Sequence, residues 1–144
     1  MKSTSVVSRA LKVLGVGIAL VATLPAQPAH AATARNGVCE VGEFCVYRLE
    51  NLNGSVSDFP LTITDYGATQ PTCYEFKGPG YGQGTCVKNR GRSVWNRSSN
   101  YAVSVYYNSG CRGDSDTWSP YSHGNMSNIL WEDNASHCRD TYVP

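Results

Sequence analysis

The chain has 144 residues, of which 16% are charged and 41% apolar, with a formal net charge of +1. A charge this close to balance argues against nucleic acid or an anionic membrane as the main partner, because both require a basic field. Six cysteines and fourteen glycines in so short a chain point to a small, stapled, turn-rich fold.

Residues 1–31 read as a secretory signal peptide. Lys2, Arg9 and Lys12 form a basic start, and Val13–Leu24 is an apolar run shorter than the ~20 residues of a membrane helix. Ala29-His30-Ala31 is a small-x-small cleavage pattern, so cleavage is expected before Ala32, with Ala32-Thr33-Ala34 as a second site. Without this leader, nine basic residues face eleven acidic ones, net −2. Residues 32–144 are then expected to form one secreted, extracellular domain with no membrane attachment.

That domain reads as strands and turns. Residues 44–49 are β-rich and stop at the turn signal Asn51-Leu52-Asn53-Gly54. Val56 to Ile63 is a second strand candidate. Residues 77–84 hold five glycines or prolines in eight positions and are expected to be a loop. Ser93-Val94-Trp95 is a short strand candidate. In residues 101–107, Tyr101, Val103, Val105 and Tyr107 fall on one face and Ala102, Ser104 and Tyr106 on the other, the alternation of a half-buried strand. Asn108-Ser109-Gly110 is the next turn. With no sustained helical period, the fold class is all-β, a sandwich or barrel.

All six cysteines, Cys39, Cys45, Cys73, Cys86, Cys111 and Cys138, lie downstream of the leader. An even number behind a signal peptide reads as a disulfide framework. Six cysteines permit fifteen pairings; joining neighbours (Cys39–Cys45, Cys73–Cys86, Cys111–Cys138) is the simplest. Zinc is the poorer use of them, since there is no Cys-x2-Cys pair and only His123 and His137 follow the leader.

A weak internal repeat runs through the domain. Tyr47 precedes Gly54 by seven residues and Tyr107 precedes Gly113 by six. Downstream of each comes a serine-centred segment, Asn89–Trp95 and Glu132–His137. Aromatic strand, glycine turn, long connection and serine strand, twice over, is the trace of two packed Greek keys. The first would span about 38–98 and the second about 99–140, with the Gly/Pro-rich stretch between Cys73 and Cys86 as an insertion in the first.

These residues resemble a known family. Cys39-x5-Cys45-x-Tyr47, Leu52-Asn53-Gly54, Val87 to Trp95 with Tyr101 to Asn108, and Asn134-Ala135-Ser136-His137 follow the order found in the Streptomyces metalloproteinase inhibitor type of secreted actinobacterial protein. The resemblance implies a βγ-crystallin-like fold of two Greek keys and a monomer that inhibits extracellular zinc peptidases of the thermolysin type. It further implies an extended inhibitory loop after the first strand of the second key. Here that stretch is Asn108–Asp116, with Gly110, Cys111, Arg112, Gly113 and Asp114 at its centre. It contains only Cys111, so a brace has to come from a distant cysteine such as Cys138. Cys86-Val87, which ends the glycine-rich insertion, is a second candidate. A loop of this kind inhibits because stiffness lowers the ordering cost of binding, about 0.5–1.5 kcal/mol per immobilised side chain.

A crystallin-type calcium site would use paired Asn/Asp residues and a later Ser or Thr so that hard oxygens converge. The nearest matches are Asn89 with Ser93 and Glu132 with Ser136, but Lys88, Arg92, Trp131 and Ala135 stand where further oxygens belong. No cofactor is expected. No enzyme is expected either, since neither His123 nor His137 lies in a nucleophile motif. The alternative to inhibition is an extracellular binding module for calcium, carbohydrate or the cell envelope, using exposed aromatic rings. Trp118 is expected to be the exposed tryptophan and Trp95 a core residue.

Overall fold

The computed structural model describes residues 33–60 and 62–142, so the expected leader lies outside the described residues. Seven strands follow in order: β1 Phe44–Tyr47, β2 Val56–Phe59, β3 Ser93–Asn96, β4 Tyr101–Asn108, β5 Arg112–Trp118, β6 His123–Asn125 and β7 Ser136–Tyr142. The described residues contain no helix. Two antiparallel sheets form, ordered β2-β1-β3-β6 and β5-β4-β7.

The two halves of the chain exchange segments. β6 comes from the second half yet pairs with β3, Trp95 opposite His123. In return Ile63, from the first half, bridges His137 of β7 through N–H···O bonds of 3.0 and 2.9 Å. The expected strand from Val56 to Ile63 therefore breaks in two. Pro60 supplies the reason, since it has no N–H to give a ladder. Beyond it the chain crosses to the other sheet.

The core lies between the sheets. Val46, Val94, Val103 and Val105 point inward with Phe59, Tyr66, Phe76, Val87 and Leu130, all at most 1% exposed. His137 is buried among Phe44, Phe59 and Tyr66, and its Nδ1 lies 2.7 Å from the Tyr66 hydroxyl. Burial pushes the Tyr66 phenol well above its ordinary range, so it stays protonated. In the middle of β4 the expected inward residues Val103 and Val105 are buried, but so is Ser104 between them, and Tyr107, expected on the inward face, is exposed beside a register shift.

Two tryptophans depart from their expected places. Trp118 is buried at the end of β5 opposite Val103. Its same-face neighbours along the strand, Asp114 and Asp116, are polar and hid the signal. Trp95 is half-buried, because its neighbour Val94 takes the inward face and successive strand residues point opposite ways. It packs instead under the Arg97 guanidinium, 4.7 Å from the ring centroid.

All six cysteines are paired as neighbours: Cys39–Cys45, Cys73–Cys86 and Cys111–Cys138. At the other end of the described chain, Arg35 is clamped onto the first sheet. It bonds Ser57 Oγ and the carbonyls of Asp58 and Glu75, and lies 4.4 Å over the Phe59 ring. Burial lowers the Arg35 pKa, opposed by nearby Asp58.

Candidate functional site

The stretch expected to be an extended loop is a tight hairpin. β4 ends at Asn108, Ser109-Gly110-Cys111 turn the chain, and β5 starts at Arg112. Gly110 and Arg112 to Asp114 are exposed, so of the first candidate set four residues line the tip and Cys111 sits half-buried beneath them. The loop expectation fails because β5 carries the polar sequence Arg-Gly-Asp-Ser-Asp-Thr-Trp. It is the outer strand of its sheet, where exposed charge guards an open edge.

The turn requires an unusual backbone. Gly110, Cys111 and Gly113 have φ of 78°, 56° and 83°. Glycine takes such angles freely. For Cys111 they cost energy and must be held by contacts. Four such contacts exist. The disulfide to Cys138 ties the turn to β7. Ser136 Oγ accepts the Cys111 N–H at 3.1 Å and donates to Asn108 O at 2.7 Å. The Gly110 N–H donates to Thr64 O at 2.6 Å. Lys88 Nζ donates to Ser109 Oγ at 2.8 Å and to Asp65 Oδ1 at 2.9 Å. The Gly67 N–H, then Lys88, hold the Asp65 carboxyl below its ordinary value. The result is a projecting hairpin with a fixed backbone and a small, polar tip.

Thr64, Asp65 and the bracing role of Lys88 were not foreseen. They come from segments 21 or more residues away, and no local pattern marks them. Ser136 had a signal, its place in the repeat. Its counterpart Ser93 does the same for the first hairpin: its hydroxyl donates to Leu49 O at 2.6 Å and accepts the Leu52 N–H at 3.0 Å. The segments before the two serines also clasp each other, Asn89 N–H to Asn134 O at 2.7 Å and Glu132 N–H to Gly91 O at 3.0 Å. Asn89 and Glu132 share a left-handed backbone, φ 58° and 62°. The repeat is therefore a structural two-fold.

The second candidate does not reach the surface. Val87 is fully buried and Cys86 is 8% exposed, because the Cys73–Cys86 bond and the Glu75–Cys86 bridge draw this segment inward. It cannot present a side chain to a cleft. The calcium candidates have other uses. Ser93 and Ser136 hold the hairpins, and Glu132 accepts from Arg48 at 2.8 Å and Arg92 at 2.9 Å. Partial desolvation raises the Glu132 pKa, but the two guanidiniums outweigh it and hold the carboxyl below its ordinary value. Among the described residues no three His, Cys, Asp or Glu side chains converge as a metal site would need.

Comparison with known proteins gives the family and the fold. A family model described as peptidase inhibitor family I36 matches residues 32–118. No curated protein matches the chain. A solved structure from work on the evolution of the eye-lens βγ-crystallin domain fold is similar at 13% identity and a TM-score of 0.52, covering 80% of this chain and 95% of that one. The N-terminal domain of Protein S is similar at 19% identity and a TM-score of 0.48, covering 71% and 98%. The first of these shows a βγ-crystallin-like fold.

Proposed function

The chain belongs to peptidase inhibitor family I36, and from that premise we propose that it is a secreted, monomeric inhibitor of extracellular zinc metalloproteases of the thermolysin type. It presents the β4–β5 hairpin to the protease cleft and does no chemistry of its own. The observation that carries this reading is the brace at Cys111: a disulfide, the Ser136 hydroxyl, the Thr64 carbonyl and Lys88 fix the exposed turn from four directions. A segment that is already ordered loses little entropy when bound. It also resists the distortion that a scissile bond must undergo, so it occupies a protease without being turned over.

The test is a titration of thermolysin with the purified, oxidised protein, followed by cleavage of a peptide substrate. Inhibition at one-to-one stoichiometry is expected, with Arg112→Ala and Asp114→Ala weakening it and Tm unchanged. Full protease activity in a large excess of folded inhibitor would overturn the target class. Unaltered inhibition by both variants would overturn the hairpin as the contact.

A further inference from the structure

Between the β1–β2 hairpin and the glycine-rich insertion lies an open groove of about 660 Å³. We propose that this groove is a binding site for a neutral oligosaccharide.

The groove is built with some care. Residues 77–84 are laid against the hairpin, with the Ser55 N–H donating to Tyr81 O at 3.0 Å and Ser55 Oγ donating to Gly78 O. The contact is close enough that a Cβ on Gly82 would come within 2.5 Å of Arg48 Cγ. This packing holds the Tyr81 ring, 66% exposed, on the Arg48 guanidinium, 5.5 Å from the centroid. Arg48 and Arg92 both bond the same oxygen of Glu132, at 2.8 and 2.9 Å. Arg92 lies in turn 4.8 Å over the ring of Trp131, which is 38% exposed. Tyr81 and Arg92 thus line the groove itself, and the row of guanidinium, carboxylate and guanidinium carries the surface on from it to the second exposed ring, Trp131, outside the groove wall.

The chemistry of that row selects the ligand. Sugar rings have an apolar C–H face that lies on an aromatic ring, and hydroxyls that bond planar charged side chains; recognition sites combine the two. The two arginines are balanced by Glu132 and by Glu50 on the groove wall, so no net field favours an anion or a cation. The surface is concave, which suits a slender chain of sugars. The β4–β5 hairpin, by contrast, projects.

The probes are three neutral hexasaccharides, chitohexaose, cellohexaose and maltohexaose, titrated calorimetrically into the purified, oxidised protein. Saturable one-site binding of at least one is expected. Tyr81→Ala and Trp131→Ala should each weaken it about tenfold, while Tyr81→Phe retains it and all three variants keep Tm and thermolysin inhibition. Absence of saturable binding up to about 10 mM of every probe would overturn the proposal. Binding that survives both alanine substitutions would do the same. Loss of protease inhibition in Tyr81→Ala or Trp131→Ala would instead make the groove a protein contact.

Discussion

Replacing Glu43 by Gln should stabilise the protein at neutral pH. The Glu43 side chain is fully buried just ahead of β1. One carboxyl oxygen, Oε2, accepts the Glu40 N–H at 2.8 Å. The other, Oε1, has no partner. Burial pushes the carboxyl up to about 7; neighbouring Asp58 and Glu40 add to the rise, while the Glu40 N–H and Arg97 oppose it. The folded state therefore holds this proton more tightly than the unfolded chain, whose value is 4.5. Stability from this group is complete below about pH 4.5, falls as the unfolded state ionises first, and levels off above about pH 7. At 1.36 kcal/mol per unit the loss is at most about 3 kcal/mol. Gln keeps the acceptor for Glu40 and has nothing to ionise. Guanidinium unfolding of the oxidised protein from about pH 4.5 to 8 measures it. The difference between the wild-type and Glu43→Gln curves isolates the group from Asp65 and Glu132, whose lowered values give the opposite slope at more acidic pH. Superimposable profiles between pH 5 and 7, or a less stable Gln variant at about pH 8, would refute the reasoning.

Three other perturbations follow from the packing. Ser136→Ala removes the group that bonds both Asn108 O and the Cys111 N–H; it should cost about 1–2 kcal/mol and speed amide exchange at Cys111, and Ser93→Ala should cost about as much while loosening the first hairpin instead. Gly91→Ala would set a Cβ 2.7 Å from Val46 Cγ1 and 3.1 Å from the Asn134 amide, so a loss of about 1–3 kcal/mol is expected in denaturant unfolding. Removing the Cys111–Cys138 pair opens the widest loop, a separation of 27 residues against 6 for Cys39–Cys45. The chain-entropy estimate is about 3–4 kcal/mol for the first and about 2–3 for the second, an order that thermal unfolding of the two double variants checks.

Much of this architecture can be read along the chain, and the rest fails for identifiable reasons. The centre of β4 was legible because Val103 and Val105 do enter the core, although Ser104 between them is buried as well, on the opposite face. Cysteine order happened to match the pairing, although order alone could not select it. β5 and β6 were illegible. The first is a polar edge strand, and the second is only His123-Gly124-Asn125, a strand solely because β3 lies beside it. The second strand was expected to run from Val56 to Ile63; Pro60 was the overlooked signal for its end after Phe59, and nothing local says that Ile63 continues on the other sheet. Trp118 and Trp95 show the limit of composition: which face a ring takes depends on strand parity, and a one-residue shift reverses it. At the candidate hairpin, Gly110 to Asp114 were named from sequence, and four of the five lie exposed at the turn. What stiffens them was found only in three dimensions, because Thr64, Asp65 and Lys88 arrive through the exchange of segments between halves.

The two-fold also explains why two different surfaces can exist on equivalent hairpins. Each hairpin has the same serine brace, and the segments that lead into the two serines are joined to each other by a pair of reciprocal backbone bonds. What differs is the second support. The first hairpin leans on residues 77–84, whose Tyr81 carbonyl takes the Ser55 N–H; support on that side leaves a groove, and the tip does not stand clear. The second hairpin has the Cys111–Cys138 bond beneath its turn, a brace from below that leaves the tip uncovered. An insertion in one copy and a disulfide in the other thus give one supersecondary unit two different surroundings. The surfaces share no residue: the groove is lined from residues 49–51, 53–54, 79–81 and 92, and the hairpin tip spans residues 108–114. Substitutions at Tyr81 and at Arg112 should therefore act independently, with additive effects in the double variant, and a measured coupling between them would show that both contact one partner.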